Sequence, residues 1–153
     1  MAFPTSPVEG QIYEDYIYKI DRWEAEVLPV VRMIYQNQVV SAASTNFRYT
    51  GKGEDTHNAY NTSTGEYTFP ITGVYQINGS FVGGVSVTQA DLGAYIDGTI
   101  YRQVTATANL PYALRYNYSF SIRVNAGQKL TLKHGATAYA NASDQLDITR
   151  IGS

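Results

Sequence analysis

From Tyr112 to Val124 the chain alternates strictly. Tyr112, Leu114, Tyr116, Tyr118, Phe120, Ile122 and Val124 are separated by Ala113, Arg115, Asn117, Ser119, Ser121 and Arg123. Successive side chains of an extended chain point to opposite faces, so this spacing predicts one long strand with a buried face and a wet one. The same period recurs in shorter runs. Tyr67, Phe69 and Ile71 share a face with Thr68 and Thr72 opposite, and Tyr75, Ile77 and Phe81 stand against Gln76, Asn78 and Ser80. Leu130 and Leu132 begin another strand, and Leu146, Ile148 and Arg150 alternate in the last. Further strands are expected at 39–44, 47–50, 94–96 and 100–106. Between them lie the loop Gly51-Lys52-Gly53-Glu54-Asp55, the turn Asn125-Ala126-Gly127-Gln128, and Gly83-Gly84, which marks a bulge or bend. The pair Asp97-Gly98 is a strong signal for a type I′ hairpin. The chain has almost no helical periodicity. About eight to ten antiparallel strands at this spacing predict an all-β fold, a β-sandwich of the jelly-roll kind.

The first residues follow a different plan. Pro4 and Pro7 keep the start extended. Strand-like runs then follow at 11–14, 16–20 and 22–27, with Glu14-Asp15 and Asp21-Arg22 as turns. A unit of about 25 residues cannot bury a sufficient core alone. Phe3, Tyr13, Tyr16, Tyr18 and Trp23 are therefore expected to pack on something else, either the main domain or another protein. Over 27–38 the signals conflict. Val30, Val31, Ile34 and Tyr35 fit one helical face, while Val-Val and Ile-Tyr suit a strand, and Pro29 opposes a helix that starts earlier. The stretch is read as an extended connector. The organisation expected is an N-terminal β-hairpin arm with its connector over 1–38 and a jelly-roll knob over 39–153.

Composition moves the functional question from chemistry to surfaces. The 153 residues are 44% hydrophobic, enough for one domain with its own core. Only 16% are charged, against roughly 25% in typical soluble domains. Thr, Ser, Asn, Gly and 14 tyrosines make up the difference. A polar, uncharged, tyrosine-rich surface suits protein–protein contact, because tyrosine joins an apolar body to a hydrogen-bonding tip. An oligomer is therefore expected. Net charge is −2 and no basic stripe is visible, so no nucleic-acid partner is expected. No stretch of about 20 apolar residues appears, so no membrane partner is expected either. The first residues lack the basic and apolar regions of a signal peptide. The four Asn-x-Ser/Thr matches, at Asn61, Asn78, Asn117 and Asn141, are then chance features of an Asn- and Ser-rich chain. With no cysteine there are no disulfides or thiolate metal sites.

Candidate chemistry is sparse. His57 lies in the loop Asp55-Thr56-His57-Asn58 and His134 follows Lys133 at a strand end. Neither has a nucleophile and orienting acid in a recognisable pattern, so both are read as surface or turn histidines. Asp144 and Asp147, three apart on a strand, face opposite sides and are read as solvated surface rather than an acid–base pair. Asp91, Asp97 and Asp144 carry oxygen ligands suited to calcium, but no loop has the dense acidic spacing of a dedicated site. Gly51-Lys52-Gly53 lacks the strand–loop–helix setting of a phosphate loop. The expectation is no enzyme, no catalytic residues, no cofactor and no metal. Among the aromatics, Tyr67, Phe69, Tyr75, Phe81, Tyr116 and Phe120 are expected in the core. Tyr95, Tyr101, Tyr112 and Tyr139 lie where alternation is weaker and are candidates for subunit contacts or a carbohydrate platform.

One block carries a family likeness. The run from Asn58 to Ile77 contains an aromatic, a short Thr-Gly turn at Thr64-Gly65, alternating aromatics, Pro70, and then Gly73-Val74-Tyr75. It resembles the signature of the complement one-q globular head, a branch of the tumour-necrosis-factor-like jelly rolls. Tyr95-Ile96-Asp97-Gly98, the segment from Val124 to Leu132, and the closing Leu146-Asp147-Ile148-Thr149-Arg150-Ile151 follow in the family's order. Gln128 stands where the family usually has an Asp, and there is no collagen-like stalk. The resemblance covers roughly 39–153 and implies a ten-stranded jelly roll assembled as a homotrimer. At the other end, Phe3-Pro4-Thr5-Ser6-Pro7-Val8-Glu9-Gly10-Gln11-Ile12-Tyr13, followed by Tyr18 and Trp23, resembles a short module of tailed-bacteriophage structural proteins. That resemblance implies a virion protein, exposed on the particle surface, whose partners are the major capsid protein or tail components. Of two roles the first below is favoured, because only about a dozen residues connect arm to knob, a reach of no more than about 40 Å, and the second is the alternative. One is a trimeric capsid decoration (cement) protein held by its arm. The other is the receptor-binding knob of a short tail fibre or spike that recognises a host surface glycan.

Overall fold

The computed structural model describes residues 6, 12–13, 16–19, 22–25, 28–34, 39–40, 46–83, 87–110, 115–134, 138–139 and 144–153. No helix occurs among them. Three short strands come first: β1 (Ile12–Tyr13), β2 (Tyr16–Lys19) and β3 (Arg22–Ala25), paired antiparallel in that order. They fall within the three runs expected from the sequence.

Two larger antiparallel sheets make the sandwich. The first is built on β9 (Gly73–Gly83). Along one edge of β9 runs β12 (Arg115–Val124), and along the other run β15 (Gln145–Gly152) and, beyond it, β14 (Ala138–Tyr139). β4 (Val30–Ile34) and β6 (Gly51–Asp55) continue outward from β15, and β5 (Val39–Val40) pairs with β14. The second sheet has the order β11 (Thr99–Leu110), β10 (Val87–Ile96), β13 (Lys129–His134), β8 (Glu66–Thr68) and β7 (Tyr60–Asn61).

Between the sheets lies the core the alternation predicts. Tyr67, Phe69, Tyr75, Ile77, Phe81, Tyr118, Phe120, Ile122, Val124, Leu130, Leu132, Leu146 and Ile148 are all buried, with Tyr116 half-buried against them. Aromatic edges meet faces through this layer: Phe69 lies 4.8 Å from Tyr75 and Tyr67 lies 5.1 Å from Phe69, both in edge-on geometry. Such a filling is what two sheets about 10 Å apart require. At the Asp97-Gly98 hairpin both residues have positive φ, 49° and 80°, as a type I′ turn demands.

Four readings of the sequence are corrected. The connector at 27–38 is extended, but its Val30–Ile34 part is a strand of the sandwich, flanked by β15 and β6, with Val31 and Met33 in the core. Its Val-Val and Met-Ile run matches a strand buried on one face, and Pro29 stands just before it, where its missing N–H costs nothing. Phe47 and Tyr49 are deeply buried, yet 47–50 forms no strand; a single bridge joins Asn46 to Lys133. His134 is no surface residue. It shares the parity of Leu130 and Leu132, is 2% exposed and lies edge-on to Phe47 at 6.2 Å. Asp144 is fully buried rather than solvated, 3.7 Å from the Arg115 guanidinium. It precedes Gln145, whose N–H donates to the Ser80 hydroxyl and ties the start of β15 to the edge of β9.

A polar seam crosses the apolar layer. Tyr118 stands opposite Gly79, and a Cβ there would lie 2.2 Å from the phenol oxygen, so glycine lets the ring lie across β9. The phenol meets that of Tyr49 at 2.9 Å, and the Tyr49 hydroxyl donates to the Ser80 carbonyl at 3.1 Å. Burial pushes both phenols well above the usual tyrosine range. The Tyr49 N–H in turn donates to the Tyr60 hydroxyl at 3.0 Å. An off-strand segment is thereby fastened inside the sandwich by these side-chain bonds and by the Phe47 N–H on the Leu132 carbonyl at 2.7 Å, without a continuous ladder.

Candidate interaction surfaces

One end of the sandwich is set by its connections. The links 69–72 and 125–128 pass from one sheet to the other there, held by the Phe69 N–H on the Gln128 carbonyl at 2.9 Å and the Gly127 N–H on the Phe69 carbonyl at 2.8 Å. The β10–β11 hairpin joins them: Asp97 accepts from the Gln128 amide at 3.0 Å and from the Lys129 N–H at 2.9 Å. Those two donors hold its carboxyl below the usual carboxylate range. The chain also enters the sandwich at this end, because the Arg150 N–H donates to the Pro29 carbonyl and the Thr56 N–H to the Val30 carbonyl. We call this end the base. Leu28, Ile100, Tyr101 and Ile151, the exposed large hydrophobics among the described residues, all lie toward it.

The tyrosines singled out from the sequence are not brought together. Tyr95 and Ile100 are register partners and face outward from the second sheet, where the Lys133 ammonium sits 4.7 Å over the Tyr95 ring. Tyr101, one residue on, lies on the other face of β11. It is 48% exposed and its ring is 6.5 Å from that of Phe120. The two edge strands β11 and β12 thus form a seam capped by a half-exposed aromatic. Tyr139 is placed by its backbone in β14, opposite Val40's neighbour Val39 and Val82. Tyr112 lies outside the described residues. Asp97 at the base and Asp144 at the opposite strand ends are far apart in the topology, and Asp91 lies on β10 opposite Ala106. Among the described residues no cluster of three or more His, Cys, Asp or Glu could hold a metal ion.

The outer face of the first sheet is polar but scarcely charged near its β9–β12 edge. The Gln76 amide donates to Asn78 and to Ser119, and Ser121 donates back to Gln76 at 2.7 Å. Toward the β6 edge an open depression of about 560 Å³ is lined by Arg32, Met33, Gly53, Glu54, Gln145 and Asp147. A second, of about 470 Å³, is lined by Asn58, Ala59, Tyr60, Asn61, Thr62 and Thr68. Both are open to the surface, and neither joins a nucleophile to a base.

In the N-terminal sheet, register does what the sequence alone left open. Tyr13 pairs with Tyr16, Tyr16 with Ala25 and Tyr18 with Trp23. Paired residues share a face and alternate residues repeat it, so Tyr13, Tyr16, Tyr18, Trp23 and Ala25 occupy one face. Ile12, Ile17, Lys19, Arg22 and Glu24 occupy the other. All the arm aromatics named from the sequence therefore share a side, except Phe3, which lies outside the described residues. The signal was available: hairpins with two-residue connections fix register.

No family model matches the chain, and no curated protein matches it in sequence. Solved structures do. The globular domain of the zebrafish complement 1qA protein superposes with a TM-score of 0.69 at 12% identity, covering 82% of this chain and 98% of that one. The fold is that of the complement-1q and tumour-necrosis-factor-like jelly rolls. Murine APRIL agrees, with a TM-score of 0.64 at 9% identity over 82% of this chain and all of that one. A second murine APRIL structure gives 0.63 at 10% identity, again over 82% of this chain. At such identities the likeness is one of fold, and it bears out the jelly roll expected from the Asn58-to-Ile77 block.

Proposed function

We propose that this chain is a homotrimeric capsid decoration (cement) protein of a bacteriophage virion, displayed on the particle surface and attached through its N-terminal sheet to the major capsid protein. The observation that carries this reading is the distance from grip to knob. β3 ends at Ala25 and β4 begins at Val30, so the two are joined by residues 26–29 alone, a reach of no more than about 17 Å. The sequence reading allowed a dozen connecting residues. A fibre tip needs a shaft to carry it outward, whereas a cement protein must sit close to the surface it clamps. Threefold assembly follows the jelly-roll resemblance and suits the local threefold positions of an icosahedral shell. Three linked arms then bind by effective concentration, beyond the strength of any one. The half-exposed Tyr101 and the exposed Ile100 on edge strand β11 supply apolar surface for the contact between copies.

The test compares the whole chain with a version lacking residues 1–26 on shells stripped of this protein. The cement role predicts saturable binding by the whole chain and none by the shortened one. Shell binding that survives the deletion sinks it. Sedimentation should give a trimer, and Tyr101→Glu should shift it toward monomer while the knob stays folded.

The second reading is a glycan-binding knob. The depression lined by Asn58, Asn61, Thr62 and Thr68 offers neutral amides and hydroxyls of the kind that pair with sugar hydroxyls. Binding of host polysaccharide by the knob, lost on Asn61→Ala, would favour it over cement.

A further inference from the structure

The loop Asp55-Thr56-His57-Asn58 lies against the joint between the N-terminal sheet and the sandwich. The last residues of that joint, Leu28 and Pro29, lead directly into β4. Thr56 grips this stretch with both backbone and side chain. Its N–H donates to the Val30 carbonyl at 3.1 Å, and its hydroxyl accepts the Val30 N–H at 3.0 Å. The same hydroxyl stands 3.3 Å from the Leu28 carbonyl and 3.4 Å from that of Val30. The His57 Nδ1 approaches it most closely, at 2.9 Å.

A hydroxyl has one proton to give and two lone pairs that receive. The Val30 N–H fills one lone pair. The single proton has His57 Nδ1, the Leu28 carbonyl and the Val30 carbonyl within reach. The imidazole contact is the shortest, and a ring nitrogen without a proton is the partner that suits it. Once an imidazole is charged, both ring nitrogens are donors. Nδ1 then fills the second lone pair, and the hydroxyl proton must turn to a carbonyl. That of Leu28 is the nearer, and that of Val30 already receives the Thr56 N–H.

We propose that His57 is a proton-operated latch on this joint: when its ring gains a proton, the Thr56 hydroxyl turns from the ring to the Leu28 carbonyl and ties the connector to the sandwich. The added bond is present in acid and lost as pH rises through the imidazole range. Imidazole ordinarily changes charge between roughly pH 5 and pH 8, so the latch closes in mild acid and opens above neutrality. Other charged groups sit on the elements packed round the loop. The Asp55 carboxylate accepts the Ala59 and Tyr60 N–H groups at 2.8 and 3.1 Å. Arg32 of β4 lies 3.9 Å from Glu54 of β6, and Arg150 of β15 donates its backbone N–H to the Pro29 carbonyl. The latch acts at the joint itself, so it holds whatever the N-terminal sheet grips.

The test is a nuclear magnetic resonance titration of the whole chain, labelled with carbon-13 and nitrogen-15, from about pH 8 to about pH 5. The neutral His57 ring should carry its proton on Nε2 and leave Nδ1 bare. As the ring gains its charge, the Leu28 carbonyl resonance should move with the same midpoint as the ring's own signals. Thr56→Val should abolish the Leu28 movement while His57 still titrates. Thr56→Ser, which keeps the hydroxyl, should retain it. His57→Gln should leave the Leu28 carbonyl flat across the range. A proton on Nδ1 of the neutral ring overturns the proposal. So does a Leu28 carbonyl that ignores the titration, or one that moves equally in the Thr56→Val chain. A response confined to the Val30 carbonyl overturns it as well.

Discussion

The sandwich and the N-terminal sheet obey one rule with opposite outcomes. Both gather aromatic residues on one face of antiparallel strands, although in the N-terminal sheet Ile12 and Ile17 share the opposite face with Lys19, Arg22 and Glu24. In the sandwich each sheet supplies the cover for the other, so Phe120 of β12 and Tyr67 of β8 disappear into a shared layer. The N-terminal sheet is one layer thick and three strands wide, with strands of two, four and four residues. A single small layer cannot cover its own apolar face and remain stable in isolation. The difference teaches that alternation locates a face, while layer count decides whether that face becomes core or contact.

The largest expected break in this contrast is Phe120→Asp. The carboxylate would replace a ring that is 4% exposed between the sheets. An unpaired charge there costs several kcal/mol, comparable with the roughly 5–15 kcal/mol that holds a domain together. Soluble protein with an unaltered melt would show that β12 faces the other way. Next comes Gly79→Ala. The added carbon meets the Tyr118 phenol at 2.2 Å and the Gln145 carbonyl at 2.7 Å, so ring or backbone must move. A loss of about 1–3 kcal/mol by chemical denaturation is expected, and no loss would place the ring elsewhere.

Smaller is Tyr118→Phe, at about 1 kcal/mol for the lost phenol–phenol bond. It carries a sharper signature in alkali. A phenol raised above its unfolded value contributes stability that is complete below about pH 10 and is lost as pH climbs toward its folded value. Burial raises Tyr49 and Tyr118 in this sense. The unaltered chain should therefore lose stability progressively above about pH 10, and the variant should show a shallower alkaline limb. Parallel limbs would mean that Tyr118 does not titrate from a buried state. Smallest of all, removing residues 1–26 should leave the knob's melting temperature within about 2 °C. A larger drop would assign the aromatic face to the knob itself and erase the contrast between the two regions.

Most of the fold was legible because alternation is strict where one face is buried. β12, β9, β13 and β15 all follow the parity read from Tyr118, Tyr75, Leu130 and Leu146. Legibility failed where burial did not follow strand periodicity. Phe47 and Tyr49 are buried from a segment with no ladder, fixed by a bond to the Tyr60 hydroxyl that no local pattern encodes. Asp144 is buried by a contact to Arg115, almost thirty residues away in sequence. His134 shares the parity of Leu132, and only the polarity of its imidazole points to the surface. For the candidate surfaces, composition pointed to tyrosine but could not say which tyrosines share a face. Only register could, and it separated Tyr95 from Tyr101 while uniting Tyr13, Tyr16, Tyr18 and Trp23.

Trp23 is the chain's single tryptophan, whereas the 14 tyrosines are spread through arm and knob alike. Light absorbed only by indole therefore reports on the small N-terminal sheet and nothing else. Emission shift and quenching of that one fluorophore can follow engagement of the grip in real time, while tyrosine absorbance tracks the integrity of the globule in the same cuvette, without any dye or label.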